Sequence, residues 1–578
     1  MAIYQTDLED IYFNLFELLK VDQTAAESSD LGADDIKEII AQLDKFIGQE
    51  IYPTREAGDK EGVKLVDGKV IVPEIFKSAA KSYHENGWMG LGYPEEIEGI
   101  PVPHSVNFLA ESLCNGANVS LGLYFGLTRG ALNVIRAIGS DTQKSLYTNP
   151  MITGRWGGTM CLTEAGAGSD VGALTTTATK LDDGRYKMKG VKIFISSGDN
   201  DLYENIIHLV LARTPGAPAG AKGLSLFIVP KFEVDQSGEL GGSNDVLCTK
   251  IEEKMGIHGS ATCELTFGDN DNCIGELIGN ELEGMQNMFI MMNEARLLCG
   301  IQGESQAQMA FQLTKQYVNE RVQFGTEIIN HPDVRKSVLK MRAMTRGMRA
   351  LSLYTGDLFD RVKKSPELEG EIALLTPVCK AYLTDYGFQV AVDAIQLHGG
   401  YGFCSEYGVE QYARDLKIAS IYEGTNGIQA IHFVMRKILK DGGKAFGGVA
   451  LKIQQTVKKE SGDRWQKECA LIATVMQQGA DIVRQFGEWA KGKEIDAILG
   501  GSTDFLTFCG HLVMAWRLME SAQVASIQLD AGASGEQQEF YQSKIVDFEI
   551  FCHNYLTANL GLAESILKFK DSYSSLKI

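Results

Sequence analysis

The hydrophobic period of this chain changes twice along its length, and that limits what it can fold into. Up to about residue 155, apolar residues recur at three- and four-residue spacing. Leu8–Leu19, Ala33–Glu50, Pro73–Asn86 and Pro103–Cys114 are examples, and each predicts a helix that buries one face. Gly87, Gly90 and Gly92-Tyr93-Pro94 interrupt them. Near Trp156 the pattern shortens. Tyr186–Ile195, Ile206–Ala212, Leu224–Val229 and Cys263–Phe267 read as strands, and Asp182-Asp183-Gly184 predicts a hairpin turn before the first. Helical spacing returns at about Met285 and runs through Met285–Glu320, Pro332–Lys363 and Glu371–Leu397, then from Ala430 onward. The fold class expected is α+β. An N-terminal helical domain (1–155) precedes a central antiparallel β domain, sheet or barrel (156–284). A helical bundle (285–440) and an additional helical C-terminal domain (441–578) follow. Gly442-Gly443 and Gly447-Gly448 are expected to form the last linker, with Leu451–Trp489 and Phe505–Leu529 as the long helices beyond it.

With 578 residues, 44% of them hydrophobic, the chain can bury several cores. Its formal net charge of -20 repels phosphate backbones and anionic lipid. Residues 441–578 hold 14 Lys+Arg against 17 Asp+Glu, so no basic footprint for nucleic acid is expected there. The 11 cysteines form no C-x-x-C pair, and neither a metal site nor a disulfide framework is expected. Met1 to Asp10 is acidic, without the basic and apolar regions of a leader. No apolar run reads as long enough to cross a bilayer, so the expectation is a soluble cytoplasmic protein with no integral membrane segment. No Gly-x-Gly-x-x-Gly follows a strand, so a doubly wound nucleotide fold is not expected.

Three segments carry the chemistry. In Thr163-Glu164-Ala165-Gly166-Ala167-Gly168-Ser169-Asp170, small residues let backbone N–H groups approach an oxygen-rich ligand; an ordinary tight turn reads the same. In Leu397-His398-Gly399-Gly400-Tyr401-Gly402-Phe403, three glycines after a helix suit a ligand pressed on the backbone, or a plain glycine cap. His398 reads as a helix-end cap. In Ile421-Tyr422-Glu423-Gly424-Thr425-Asn426-Gly427-Ile428-Gln429, a carboxylate among apolar neighbours suits a general base with a raised pKa; a helix N-cap is the competing reading.

Taken in order and spacing, these segments resemble the acyl-CoA dehydrogenase family. Thr-Glu-x-x-x-Gly-Ser-Asp is similar to its first signature, and the likeness implies that Thr163 and Ser169 contact flavin, Ser169 also facing substrate. Phe194-Ile195-Ser196-Ser197-Gly198 resembles the family's Trp-Ile-Thr-Asn-Gly strand, which places Phe194 and Ser196 on flavin-contacting positions, with phenylalanine where tryptophan is usual. Arg321-Val322-Gln323-Phe324-Gly325 resembles an Arg-x-x-Phe-Gly element whose arginine and phenylalanine reach the flavin of a neighbouring subunit. Gln396 and Gly400 fall in a Gln-x-x-Gly-Gly-x-Gly segment that contacts flavin, as does Thr425. Tyr-Glu-Gly-Thr is the second signature, and its glutamate, Glu423, is the implied base. Some relatives place the base just before an arginine that looks like Arg296. Here Ala295 precedes it, and Glu294 lies one step, roughly 100°, around the helix. Arg296, Tyr422 and Gly424 are the remaining substrate-side residues implied.

The resemblance covers about residues 80 to 440. Through the N-terminal Tyr-x-x-x-Leu stretch, His331-Pro332-Asp333-Val334-Arg335 and the extra C-terminal domain, it extends to a long subgroup that includes 3-methylmercaptopropionyl-CoA dehydrogenases and bacterial broad-specificity fatty acyl-CoA dehydrogenases. It implies noncovalent FAD and an acyl-CoA substrate. Glu423 takes the α-proton, a hydride passes to the flavin, and the product is a 2-enoyl-CoA. It further implies an electron-transfer flavoprotein as acceptor, a homodimer, and a place in fatty acid metabolism and β-oxidation. An acyl-CoA oxidase, a nucleic-acid-associated flavoprotein and a non-catalytic acyl-CoA-binding scaffold are the competing readings. Acyl chain length is not legible from these motifs.

Overall fold

The computed structural model describes residues 4–25, 31–459 and 464–568, apart from the side chains of 289–292. Contacts sort the chain into two compact units, Ala41–Val102 with Leu113–Ala295, and Met1–Ile40, Pro103–Ser112 with Arg296–Ile578.

The first of these holds the sheet. Its strands run in the order Val246–Ile251, Thr262–Phe267, Tyr186–Ser196, Ile274–Leu277, Leu224–Pro230, Asn205–Arg213 and Trp156–Cys161. Thr177–Lys180 pairs with both Tyr186–Ser196 and Asn205–Arg213, so five strands close on themselves and lose their free edges. Pairing is antiparallel except where Trp156–Cys161 lies parallel on Asn205–Arg213, and where Thr177 meets Arg213. The predicted hairpin forms: Lys180 faces Tyr186, and Gly184 takes φ +89° in the turn. Trp156, Leu209, Leu226 and Ile228 join Leu132, Ile135 and Met151 of the flanking helices in one core. The helical run beginning at His104 breaks at Asn118 (φ −157°, ψ 96°), whose side-chain oxygen accepts from Ser120 and Leu121 N–H at 3.0 and 3.3 Å. That is an N-cap starting a second helix. A full capping box between Ser140 and Gln143 starts Asp141–Ile152.

The second unit is helical. The Gly284–Glu320 helix, from Arg296 on, packs closely on Glu369–His398. A Cβ on Gly303 would lie 2.4 Å from the Leu383 carbonyl, and one on Gly387 would lie 2.3 Å from that of Gly303. The contact therefore depends on two bare backbones facing each other. Residues 4–25 dock in this unit on Pro332–Arg361 and Glu536–Phe551. Phe13 stacks edge-on against Phe540 at 5.7 Å, and the buried Asp10 receives Arg349 at 2.9 Å and Lys544. Arg346 bridges Asp7 and Asp547 at 3.2 and 3.0 Å.

Three expectations for the C-terminal region are corrected. Gly442-Gly443, at φ +68° and +75°, make the turn, but Gly447-Gly448 lie inside the helix Lys444–Lys459. Two internal glycines cost roughly 1 kcal/mol each, and burial of Val449, Ile453 and Thr456 offsets this. The stretch expected as one helix, Leu451–Trp489, is Lys444–Lys459 and Gln466–Lys491; residues 460–463 between them lie outside the described residues, as do the first three residues of the acidic N-terminus. Finally, Ile495–Asp530 is long and apolar enough to cross a bilayer by length and composition, although 67% of its apolar window is buried inside the protein.

Candidate active site

The Glu423 loop joins the turn Lys417–Ser420 to the helix Asn426–His432. Thr425 caps that helix, its hydroxyl oxygen accepting from Ile428 N–H at 3.3 Å, so the N-cap reading holds for this residue. Glu423 sits at φ +55° and Gly424 at +83°. A non-glycine residue in that region costs about 1–3 kcal/mol and persists only when its surroundings over-determine it. The surroundings do. Gln429 Nε2 donates to the Glu423 carbonyl at 2.9 Å. Asn426 accepts from Lys380 Nζ at 2.8 Å and donates to Asp385 Oδ1 at 2.8 Å and Thr384 Oγ1 at 3.0 Å. A Cβ on Gly424 would come within 2.9 Å of the Gln429 amide nitrogen, so a side chain there would disturb the first clamp.

Burial pushes the Glu423 carboxyl above its ordinary range, while the cations Arg296 and Lys380 act in the opposite sense. Both cations are themselves buried, and burial pushes both down. Tyr422 donates to Gln302, and with Phe388 it packs on Cys299, Leu416 and Ala419, an apolar wall whose Tyr422 and Cys299 feel the Glu423 charge. In the helix leading to Arg296, the side chains of 289–292 lie outside the described residues. Glu294 accepts from Asn133 at 3.0 Å, and Ala295 packs on the core around Trp156. Lys380 was not singled out from sequence; its only signal is a lysine at four-residue spacing from Thr376 and Thr384 in an apolar helix. Removing it should have a signed effect. Without this cation the charged carboxylate is less favoured, so in Lys380→Met the acid limb of the kcat/KM profile should move to higher pH. An unmoved or lowered limb in a folded, flavin-loaded variant would contradict the arrangement.

Elsewhere in the helical unit, Val322–Gln323 and Thr326–Glu327 form a hairpin whose two-residue turn is Phe324-Gly325, both at positive φ (+56° and +83°). Phe324 is 95% exposed. Arg321 lies 5.3 Å over the Tyr401 ring, and Tyr317 donates to the His398 carbonyl at 3.2 Å. The Arg321 element and the 399–402 glycines therefore share one neighbourhood. Gln396 is exposed there, its carbonyl accepting the Gly399 N–H of the helix cap, and a Cβ on Gly400 would meet nothing within 4 Å. His398 bonds the Ala394 carbonyl at 2.7 Å, a helix-end role as expected.

In the sheet unit, the Thr163 carbonyl accepts from Ile193 N–H at 2.9 Å, which joins the first motif to the strand carrying Phe194 and Ser196. Pairing with Thr262–Phe267 skips a register step there, a bulge that puts Phe194 at φ +57° and leaves it 59% exposed. Ser169 is exposed in the loop. Glu164 anchors that loop. It accepts from the N–H and hydroxyl of both Thr175 and Thr176 at 2.5–3.0 Å and from Lys192 at 2.9 Å. Burial alone would raise its carboxyl, but these donors outweigh it and hold it down at about 2. The Ser197 and Thr262 hydroxyls next to Ser196 are buried with no hydrogen-bond partner among the described residues.

The helical unit thus carries a strained carboxylate loop, and the sheet unit a small-residue loop bonded to a bulged strand. Family models for the acyl-CoA dehydrogenase N-terminal, middle and C-terminal domains match residues 33–155, 159–270 and 283–438, and one described as acetyl-CoA dehydrogenase C-terminal like matches 449–577. The chain is 38% identical to a 3-methylmercaptopropionyl-CoA dehydrogenase of Ruegeria pomeroyi, over 96% of each chain. It is 36% identical to a broad-specificity linear acyl-CoA dehydrogenase, FadE5, of Mycobacterium tuberculosis, again over 96% of each. A crystal structure of an acyl-CoA dehydrogenase complexed with FAD from Bacillus anthracis shares the fold at TM-score 0.75 and 23% identity, covering 93% of this chain and 88% of that one. The chain belongs to the acyl-CoA dehydrogenase family, oxidoreductases that act on CH–CH bonds. FAD is its cofactor, and the residues present fit it: buried hydroxyls at 197 and 262 with no partner among the described residues, and an exposed aromatic on the bulge.

Proposed function

We propose that this protein oxidises an acyl-CoA thioester to the 2-enoyl-CoA, with Glu423 as the base for the α-proton. The observation that carries the proposal is the strained, clamped Glu423 loop, whose carboxyl burial pushes up while Arg296 and Lys380 restrain it. A carboxylate raised above its ordinary range in this way is a stronger base toward a weak carbon acid. Its own backbone N–H is the donor expected at the thioester carbonyl, where negative charge develops. Tyr422, Gly424, Arg296 and Ser169 are the proposed substrate-side residues. FAD, when bound, supplies the acceptor for the β-hydrogen and its electron pair. Thr163, Ser169, Phe194, Ser196, Gln396, Gly400 and Thr425 are the proposed contacts to it, and Arg321 and Phe324 reach that of a second copy. The 95% exposure of Phe324 on a turn with two positive φ values supports the homodimer.

An electron-transfer flavoprotein as acceptor, a cytoplasmic location, a role in β-oxidation and four domains at 1–155, 156–284, 285–440 and 441–578 complete the reading; the four family-model matches support the last. The test is a panel of acyl-CoA thioesters, short, methylthio-substituted and long, mixed anaerobically with the FAD-loaded protein. At least one should bleach the flavin and yield the enoyl product. No bleaching by any, with FAD firmly bound, would overturn the proposal; peroxide formed at the rate of turnover in air would favour the oxidase reading.

A further inference from the structure

We propose that a cleft in the helical unit, remote in sequence from the Glu423 loop, binds a small organic phosphate. It is about 240 Å³ in volume and opens between Leu18–Leu19 and the helices Pro332–Arg361, Lys444–Lys459 and Ile495–Asp530. Four cations line it, Arg361, Lys452, Lys459 and Arg517, with one acid, Glu520. Two of the cations also meet acids outside the lining, Lys452 with Glu371 and Arg361 with Asp357 at 2.6 Å. Cations still outnumber acids, in a protein whose net charge is -20.

Arg517 is the feature that turns a charged cleft into a site. It is 2% exposed, and its guanidinium lies 4.1 Å over the Tyr354 ring and 5.0 Å over that of Trp516. One end donates to Glu520, and Nε has no hydrogen-bond partner among the described residues. Glu520 is itself held by Thr456 and the Trp516 indole, both at 2.9 Å. A buried, stacked guanidinium with a donor to spare is preorganised for a planar or tetrahedral oxyanion. Lys459 and Gln455 stand exposed at the rim, where a second phosphate oxygen would meet them. The volume falls short of the roughly 300–1,000 Å³ of pockets for larger ligands, which favours a single phosphate on a small flat or apolar body that can lie against Tyr354 and Trp516. Because Arg361 also donates to the Leu19 carbonyl at 3.0 Å, an occupant would tie the N-terminal segment to the helices.

The test is calorimetric titration of the full-length, FAD-loaded protein with phenyl phosphate and with inorganic phosphate. Phenyl phosphate should bind saturably at submillimolar concentration and inorganic phosphate more weakly. Lys459→Glu and Gln455→Glu, both on exposed positions, should weaken phenyl phosphate at least tenfold and leave the flavin spectrum and acyl-CoA turnover unchanged. Arg517→Lys should weaken it as well. No saturable binding of either probe, or equal affinity in the rim variants, would overturn the proposal. Because the readout is binding, it is independent of whether the reading of Glu423 stands.

Discussion

Glu423→Gln should retain FAD and lose turnover by on the order of 10²–10⁴-fold, the range a positioned general base contributes. That corresponds to about 3–5 kcal/mol of barrier. The amide is nearly the same size, and the bonds that set the loop do not use the carboxylate: Gln429 holds the residue's backbone carbonyl, and Lys380 works through Asn426. Folding and cofactor retention should therefore be spared, which separates a missing base from a collapsed site. The visible flavin spectrum and the melting temperature check the first, and anaerobic single-turnover bleaching checks the second. Glu294→Gln is the companion experiment. Its carboxylate is engaged by Asn133, so this variant should keep most of its rate. If Glu294→Gln were the dead variant and Glu423→Gln the active one, the assignment would be reversed.

The second large effect is on stability. Asp10→Ala should weaken the docking of residues 4–25 by about 3–5 kcal/mol, because removing one partner leaves buried opposite charges uncompensated. Asp10 is fully buried and faces Lys544, Arg349 and Arg346. Burial by itself would raise its carboxyl, but those three cations outweigh it and hold it down at about 2, below the ordinary 3.8. On the lysine side burial pulls the other way and lowers Lys544. The Asp10 carboxylate stays ionised against Lys544 because two guanidinium groups support it as well. A carboxyl with a depressed folded pKa contributes stability that is present above its unfolded value and lost as pH falls through the folded one. The segment should accordingly stay docked at pH 5 and loosen between about pH 4 and 2. Hydrogen exchange of residues 8–18, wild type against Asp10→Ala and across that pH range, reads this locally. Protection in the variant equal to wild type at pH 7 would show that the cluster does not hold the segment.

The Glu423 motif shows how far local chemistry can be read. Its residue types, the neighbouring glycine and the following hydroxyl are visible in the sequence, where a helix N-cap reads as well as a base, and the family resemblance singles out Glu423. The left-handed φ at Glu423 was not, since it is imposed by Gln429 and by Asn426 resting on Lys380, and that lysine lies 43 positions before the base. Glu164 gives the same lesson. It was visible as a carboxylate in a small-residue loop, but its work as an anchor exists only once Thr175, Thr176 and Lys192 converge on it.

Periodicity thus decided most of the helix and strand segments and where the hairpin at Gly184 turns, because each of these depends on neighbours a few residues apart, while the order of the motifs carried the resemblance that singles out Glu423. Packing decided the rest: that Gly447-Gly448 stay helical over Val449 and Ile453, that five strands close into a ring, and that Asp10 is buried among cations more than three hundred residues away. Those outcomes arise from contacts between distant parts of the chain, and no local pattern records the partner a residue will meet.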